Sequence, residues 1–311
     1  MSGVSGVSRA SEVSGVRGLS GVGGVRSVVA TVVPGVVRAE LRRLVRWPAL
    51  WVLGSVWLAL NLTFGYVFPY LTYRTGSSVG PGAEASLGQM LPDQAPLAVV
   101  QGMPMFGGAL VLVLGALAVG SGYGWGTWKT VFTIGPRRGA AIGGTLGALG
   151  VMLAALVVAT FAVDVAASTA IGLAEDQALV APGLTDTLSG LGGALLIAAM
   201  WMGGGVLLGA ITRGPALAVG LGLVWSLVVE NLLRGVAGLL GSLETVTNLL
   251  PGTVAGSVAG AVGALPVSDP NGTPGVNTVW DGSAATLLLV AYLVAFALAT
   301  VGLVRRRDLT G

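Results

Sequence analysis

Three ionisable side chains stand in or at the ends of long apolar runs: Asp164, Glu230 and Arg234. Charges in hydrocarbon are costly, so such residues are candidates for proton relays, ion pairs or gates. Glu230 and Arg234 are four residues apart, the spacing at which side chains meet on one helix face. All three lie toward the outer ends of their runs, which favours structural pairing or an outer gate over a midplane proton relay. The other candidate for chemistry is Lys129, the only lysine, followed by Thr130. A phosphate-cradling loop requires G-x-x-x-x-G-K-[ST]. Here Trp128 precedes the lysine and Tyr123 holds the first glycine position, so that loop is absent. The chain has no cysteine and no histidine. This excludes thiol chemistry, Cys-ligated metals, His bases and His-ligated metal or haem. No catalytic, cofactor-binding or metal site is expected.

The elements that must position these residues are membrane spans. Of 311 residues, 54% are hydrophobic and 9% charged, against about 25% charged in soluble domains. A helix crossing about 30 Å of hydrocarbon needs ~20 apolar residues. Six runs qualify, at about 48–70, 99–121, 139–163, 189–211, 215–233 and 283–304; only Thr212, Arg213 and Gly214 join the fourth to the fifth, so those two should form a tight helical hairpin. The fold expected is all-α integral membrane. Residues 1–33 are a Ser-Gly-Val tract that reads as a disordered tail. The run from Ser27 to Val33 has no clean small-x-small cleavage site, which argues against a removable signal peptide. Over 34–47, Arg38, Arg42, Arg43 and Arg46 share one helical face and Val37, Leu41, Leu44 and Val45 the other. This reads as an interfacial elbow helix, or more plainly as a flanking basic cluster.

Charge sets the orientation. With the N-terminus in the cytoplasm, Arg9, Arg17, Arg26, the four elbow arginines, Lys129, Arg137, Arg138, Arg213 and Arg305 to Arg307 all fall inside. That is 14 of the 16 basic residues, leaving only Arg74 and Arg234 outside. Ten of the 13 acids fall outside or at outer span ends. Both termini are therefore expected in the cytoplasm. The basic residues follow topology and form no nucleic-acid patch. A seventh span at 236–265 would reverse Arg305 to Arg307, and the segment is broken by Glu244, Asn248 and Pro251. Two short re-entrant helices on the outer side fit better. Gly139, Gly143 and Gly147, and again Gly205 and Gly209, recur at the four-residue spacing that lets helices pack closely in lipid.

One segment between the second and third spans stands out, GYGWGTWKTVFTIGPRRGAAI, residues 122–142. As a helix over about 124–134 it places Trp125, Trp128, Val131 and Phe132 on one side and Thr127, Lys129, Thr130 and Thr133 on the other. Gly135-Pro136 ends it, and Arg137 and Arg138 anchor the next span. Such a helix either floats at head-group depth or offers its aromatic rings to a cytosolic partner.

Four stretches together resemble the membrane subunit of ABC-2 type transporters, the actinobacterial kind in particular. AELRRLVRWPALWVL resembles the elbow helix running into the first span. GWGTWKTVFTIGPRR resembles the stretch that forms the coupling helix. LVVENLL with NLLP resembles the end of the fifth span and the broken outer helices. RRRDL resembles the tail after the sixth. The resemblance covers about 34–310 and rests on order and spacing. It implies two six-span copies around a pathway, each coupling helix seated in a separate ATPase subunit that holds ATP and Mg. It implies export of a drug, antibiotic, lipid or peptide across the bacterial plasma membrane. Trp125, Thr127, Trp128, Lys129, Phe132, Arg137 and Arg138 would then form the ATPase contact. The alternatives are a secondary transporter, which would need midplane acids or unwound helices, and inverted repeats, and a membrane assembly or regulatory protein. An intramembrane enzyme would usually need His, Cys or clustered acids at span depth, and none is present.

Overall fold

The computed structural model describes residues 35–76, 86–128, 130, 138–237, 244–269 and 271–306. Among them there is no strand. Helix α1 covers residues 35–45, α2 Pro48–Thr75, α3 Pro92–Gly124, α4 Arg138–Ala174, α5 Leu184–Thr212, α6 Pro215–Ala237, α7 Glu244–Asn248, α8 Pro251–Val262 and α9 Gly282–Arg306. Six of these, α2 to α6 and α9, are long and apolar enough to cross a membrane. They contain all six runs expected from hydropathy. The 1–33 tail lies outside the described residues.

The helices begin and end where local chemistry dictates. Pro48, Pro92, Pro215 and Pro251 each open a helix, at the position where the missing N–H costs nothing. Asp281 opens α9 by accepting hydrogen bonds from the Ser283 hydroxyl and the Ser283 and Ala284 amides, the work of an N-cap. Those bonds, the Ser283 hydroxyl first, hold its carboxyl below the usual range. Between α5 and α6, Arg213 takes the left-handed conformation at φ 53° and Gly214 and Pro215 restart the chain. The result is the tight hairpin expected there.

Helices α3 and α5 form the centre, and α2, α4, α6 and α9 leave most of their apolar surface exposed. In lipid that surface needs no protein cover, and close van der Waals approach drives assembly instead. The inner pair approaches through glycine. A Cβ on Gly205 would fall 2.0 Å from the Leu112 carbonyl oxygen, and one on Gly115 2.4 Å from that of Met202. Gly209 meets the Ala116 carbonyl in the same way at 2.8 Å. Contacts thus advance together along both helices, so α3 and α5 run parallel. Contacts between α2 and α4 also advance together, from Trp57–Thr160 to Asn61–Asp164 to Tyr70–Glu175. By contrast Gly120 touches Pro215 while Gly222 touches Leu112, so α3 and α6 are antiparallel. Odd spans running with odd and even with even is the geometry of a chain that crosses and recrosses one slab.

The third span departs from expectation. It continues to Ala174, a helix of 37 residues, about 55 Å at 1.5 Å per residue. Hydropathy marks only the part to residue 163. Beyond it Ala166, Ala167 and Ala170 favour helix as strongly as before. The helix stops at Asp176, left-handed at φ 50°, with the Gln177 amide bonded back to the Gly172 carbonyl at 2.9 Å, a Schellman closure. Beyond the end of α6 at Ala237, the described residues of the 236–265 segment form no helix long enough to span. The segment holds α7, of five residues, and α8, of twelve, separated at Leu250-Pro251; residues 238–243 lie outside the described set.

Candidate functional site

One end of the bundle gathers positive charge. Val36 and Val37 of α1 lie over Gly144 and Gly147 of α4, where added Cβ atoms would come within 2.2 and 3.2 Å. Leu44 is fully buried, whereas Arg38, Arg42, Arg43 and Arg46 are exposed, and Glu40 pairs with Arg43 at 2.8 Å. Helix α1 is therefore amphipathic as expected, except that Val45 is exposed. Its apolar side rests on α4. The Trp51 indole donates to the Val45 carbonyl at 2.8 Å and fixes the corner into α2. At this same end the Arg305 guanidinium lies against Gly139, and Pro215, two residues after Arg213, lies against Gly120.

The turn after α3 belongs to this end. Gly126 is left-handed at φ 67°, a conformation glycine adopts without a Cβ clash. It reverses the chain between Trp125 and the helical residues 127 and 128. The two tryptophans therefore do not share a face, contrary to the helical projection. Trp125 is 73% exposed and Trp128 5%. The Trp128 indole lies on Gly122, where a Cβ would clash at 2.4 Å. Its N–H donates to the Val119 carbonyl at 3.1 Å, and its ring sits 6.1 Å from that of Tyr123. Trp128 is thus a peg holding the turn onto α3, and Trp125 is the ring presented outward. Thr127 and Thr130 are exposed. Lys129, Phe132 and Arg137 lie outside the described residues, as does the side chain of Arg138, whose backbone opens α4.

A polar seam joins α2 to α4. The Trp57 indole donates to the Thr160 hydroxyl at 3.0 Å, and one turn on the Asn61 amide donates to Asp164 Oδ1 at 2.5 Å. Asp164 is wholly buried. Because α4 runs ten residues past it, Asp164 is not at the span's outer end; it lies inside the helix–helix contact. Asn61 and Thr160 were not singled out from the sequence. The readable signal was Asn61 itself, the sole side-chain amide in the apolar run of α2. Beyond Asp164, Tyr70 and Arg74 both donate to Glu175 Oε1, at 2.7 and 2.9 Å. These bonds, that from Tyr70 foremost, hold the Glu175 carboxyl below its ordinary range. A carboxylate favoured in the folded state adds stability above the unfolded-state value and loses it as pH falls through the folded one. We predict that Glu175→Gln lowers the thermal midpoint near neutrality and flattens the acid limb, so that the variant and wild-type curves converge at low pH. A mutant curve parallel to the wild type would show that this pin contributes nothing.

The third place is the junction of α6 and α8. Glu230 is wholly buried. Its Oε2 accepts from Arg234 Nη2 at 3.1 Å and from the Gly252 amide at 2.9 Å, and its Oε1 from the Trp225 indole at 2.9 Å. A π-helical turn at Val224–Val229 sets the Trp225 indole against Glu230, five residues on. Gly252 is the second residue of α8, whose N-terminus has no capping side chain of its own. Glu230 therefore supplies, from another helix, the negative charge and acceptor that a helix start favours. Around it the Tyr292 hydroxyl donates to the Leu249 carbonyl, Trp280 Nε1 to the Asn248 carbonyl at 2.7 Å, and Ser257 Oγ to Asn277 Oδ1 at 2.6 Å. These bonds bind α7, α8 and the following loop to α9. Asp164 and Glu230 occupy separate helix junctions and share no hydrogen bond among the described residues.

No protein-family model matches the chain, and no curated protein is significantly similar to it. What fold and site define together is a class: an all-helical membrane protein with six apolar helices long enough to span. Among the described residues there is no cluster of His, Cys, Asp or Glu suited to a metal ion.

Proposed function

We propose that the chain is the membrane subunit of an ATP-driven exporter of the ABC-2 type, seated in a bacterial plasma membrane with both termini in the cytoplasm. ATP and Mg are held by a separate ATPase subunit. Two copies of the chain form the pathway, and the substrate is hydrophobic or amphiphilic. The observation that carries this reading is Trp125: a large ring 73% exposed at the basic end of the bundle, on a turn fastened to the innermost span by buried Trp128. An exposed aromatic on a rigid mount is the form a protein-binding anchor takes. Motion of an ATPase held there would pass through Trp128 and Tyr123 into α3, and through the glycine contacts into α5. In this reading α1 is the interfacial elbow, and α7 with α8 is the outer re-entrant pair. The sequence features that support it are the order of the four motif-like stretches and the asymmetry of basic charge.

The test is copurification with the cognate ATPase subunit in detergent, followed by ATP hydrolysis across a panel of amphiphiles. Trp125→Ala is expected to weaken the complex about 30-fold, the ~2 kcal/mol of an aromatic hot spot, with the thermal midpoint of the chain unchanged. Trp125→Phe should restore most of it. A wild-type chain that binds no ATPase, or that transports without one, would show the reading to be mistaken.

A further inference from the structure

Glu230 and Asp164 are both buried carboxylates on apolar helices, yet they are treated differently. Glu230 is met by a guanidinium, an indole N–H and a helix N-terminus. Asp164 receives one amide, from Asn61, on Oδ1. Its Oδ2 is buried and without a hydrogen-bond partner among the described residues. Among the described residues, no cation is available to it from the elements packed around it. Helix α4 carries no other ionisable residue between Gly139 and Ala174, and α2 carries none from Pro48 to Phe64. Further along α2 come Tyr66, which is buried, Tyr73, which is exposed, and Tyr70 and Arg74, both already bonded to Glu175. The turn Pro92–Gln94 adds an acid, Asp93, bonded to Gln94. Helix α5 has only Asp186, in its first turn. Helix α9 has Tyr292, and its arginines lie at the opposite end, beside Gly139. The α1 arginines face that end too, about 25 Å away along α4.

An ionised carboxylate so placed would be a buried charge with one hydrogen bond and no counter-ion, an arrangement proteins avoid by neutralising the group. A metal cation would demand about six oxygen ligands, and the seam offers few beyond the carboxylate, since the Thr160 hydroxyl already serves Trp57 and Leu156. We propose that Asp164 is a proton-binding site inside the α2–α4 seam, carrying its proton on Oδ2 at neutral pH while Asn61 holds Oδ1. Proton occupancy keeps the two parallel spans joined. Loss of the proton leaves a bare charge between them that only water entering the seam can relieve.

Infrared spectroscopy of the purified full chain, with carbon-13 at the aspartate side-chain carboxyl, reads this directly. The expected result is a protonated-acid carbonyl band at neutral pH that shifts with the label, exchanges slowly in heavy water and vanishes in Asp164→Asn. Asn is a neutral isostere of the protonated acid, so this variant should melt with the wild type. If Asp164→Asn does not fold, the labelled wild type still decides, because Asp164 is the one wholly buried aspartate among the described residues. The proposal is overturned if the aspartates give only carboxylate bands at neutral pH, or if the acid band survives in Asp164→Asn. Neither result depends on any ATPase, so this test stands apart from that of the exporter reading.

Discussion

Replacing Glu230 with alanine is expected to destabilise the chain by about 3 kcal/mol, the low end of the cost of stripping one partner from a buried ion pair. Three groups lose their acceptor at once: the Arg234 guanidinium, the Gly252 amide and the Trp225 indole. The low end applies because the Arg234 side chain keeps 27% of its surface exposed and can partly rehydrate. The Gly252 amide cannot, being buried at the start of α8. Glu230→Gln keeps an acceptor for Gly252 but loses the charge, and should cost about 1–2 kcal/mol. Glu230→Ala combined with Arg234→Ala should be milder than Glu230→Ala alone, because the stranded cation goes with its partner. The measurement is the thermal midpoint in detergent, with limited proteolysis across 244–262 to show whether α8 comes loose first. Were Glu230→Ala to melt with the wild type and resist protease equally, α8 would owe nothing to this carboxylate.

Much of this frame was readable from residue types. Apolar runs of about twenty residues set the number of spans, because lipid demands a fully bonded backbone over that thickness. The Thr212-Arg213-Gly214 hairpin and the break at Pro251 followed from the missing proline N–H and a turn too short for anything but adjacent helices. The pairing of Glu230 with Arg234 followed from helical spacing, yet its larger role as the cap of α8 did not. That role joins residues 22 positions apart, and no local pattern encodes which distant helix start will meet a carboxylate. Trp128 was misplaced for a related reason. A helical wheel assumes an unbroken helix, and one glycine at φ 67° turned the ring inward. Asp164 was placed at a span end because hydropathy falls there, although helix propensity does not.

The glycine stripes show the same limit. Gly205 and Gly209 are the packing face expected, set against α3. The stripe at 139, 143 and 147 is not one continuous span-to-span face: Gly139 meets Arg305 of α9, and Gly147 meets Val37 of α1. Gly143 has nothing within 4 Å of where a Cβ would lie. Its neighbour Gly144 carries the close contact, and the partner is α1, not another span. Four-residue spacing identifies a smooth helix side, but only the partner's position tells which side is covered.

Those two sides make opposite predictions. Gly205→Ala is expected to cost about 3 kcal/mol or more, at or above the top of the usual range for overpacking. The added methyl would fall 2.0 Å from the Leu112 carbonyl oxygen, 2.8 Å from its carbon and 2.9 Å from the Ala116 nitrogen. All three are backbone atoms, so no side-chain rotation relieves the clash and α3 must move away from α5. That separation would also pull apart the neighbouring contacts of Gly115 with Met202 and of Gly209 with Ala116, since rigid helices shift as units. Gly143→Ala should be neutral or stabilising by up to ~1 kcal/mol, the gain in helix propensity with nothing in the way. Monodispersity and thermal midpoint in detergent compare the two. If Gly205→Ala stays folded and melts with the wild type, α3 and α5 cannot be in backbone contact, and any transmission of motion between them through that seam would fall with it.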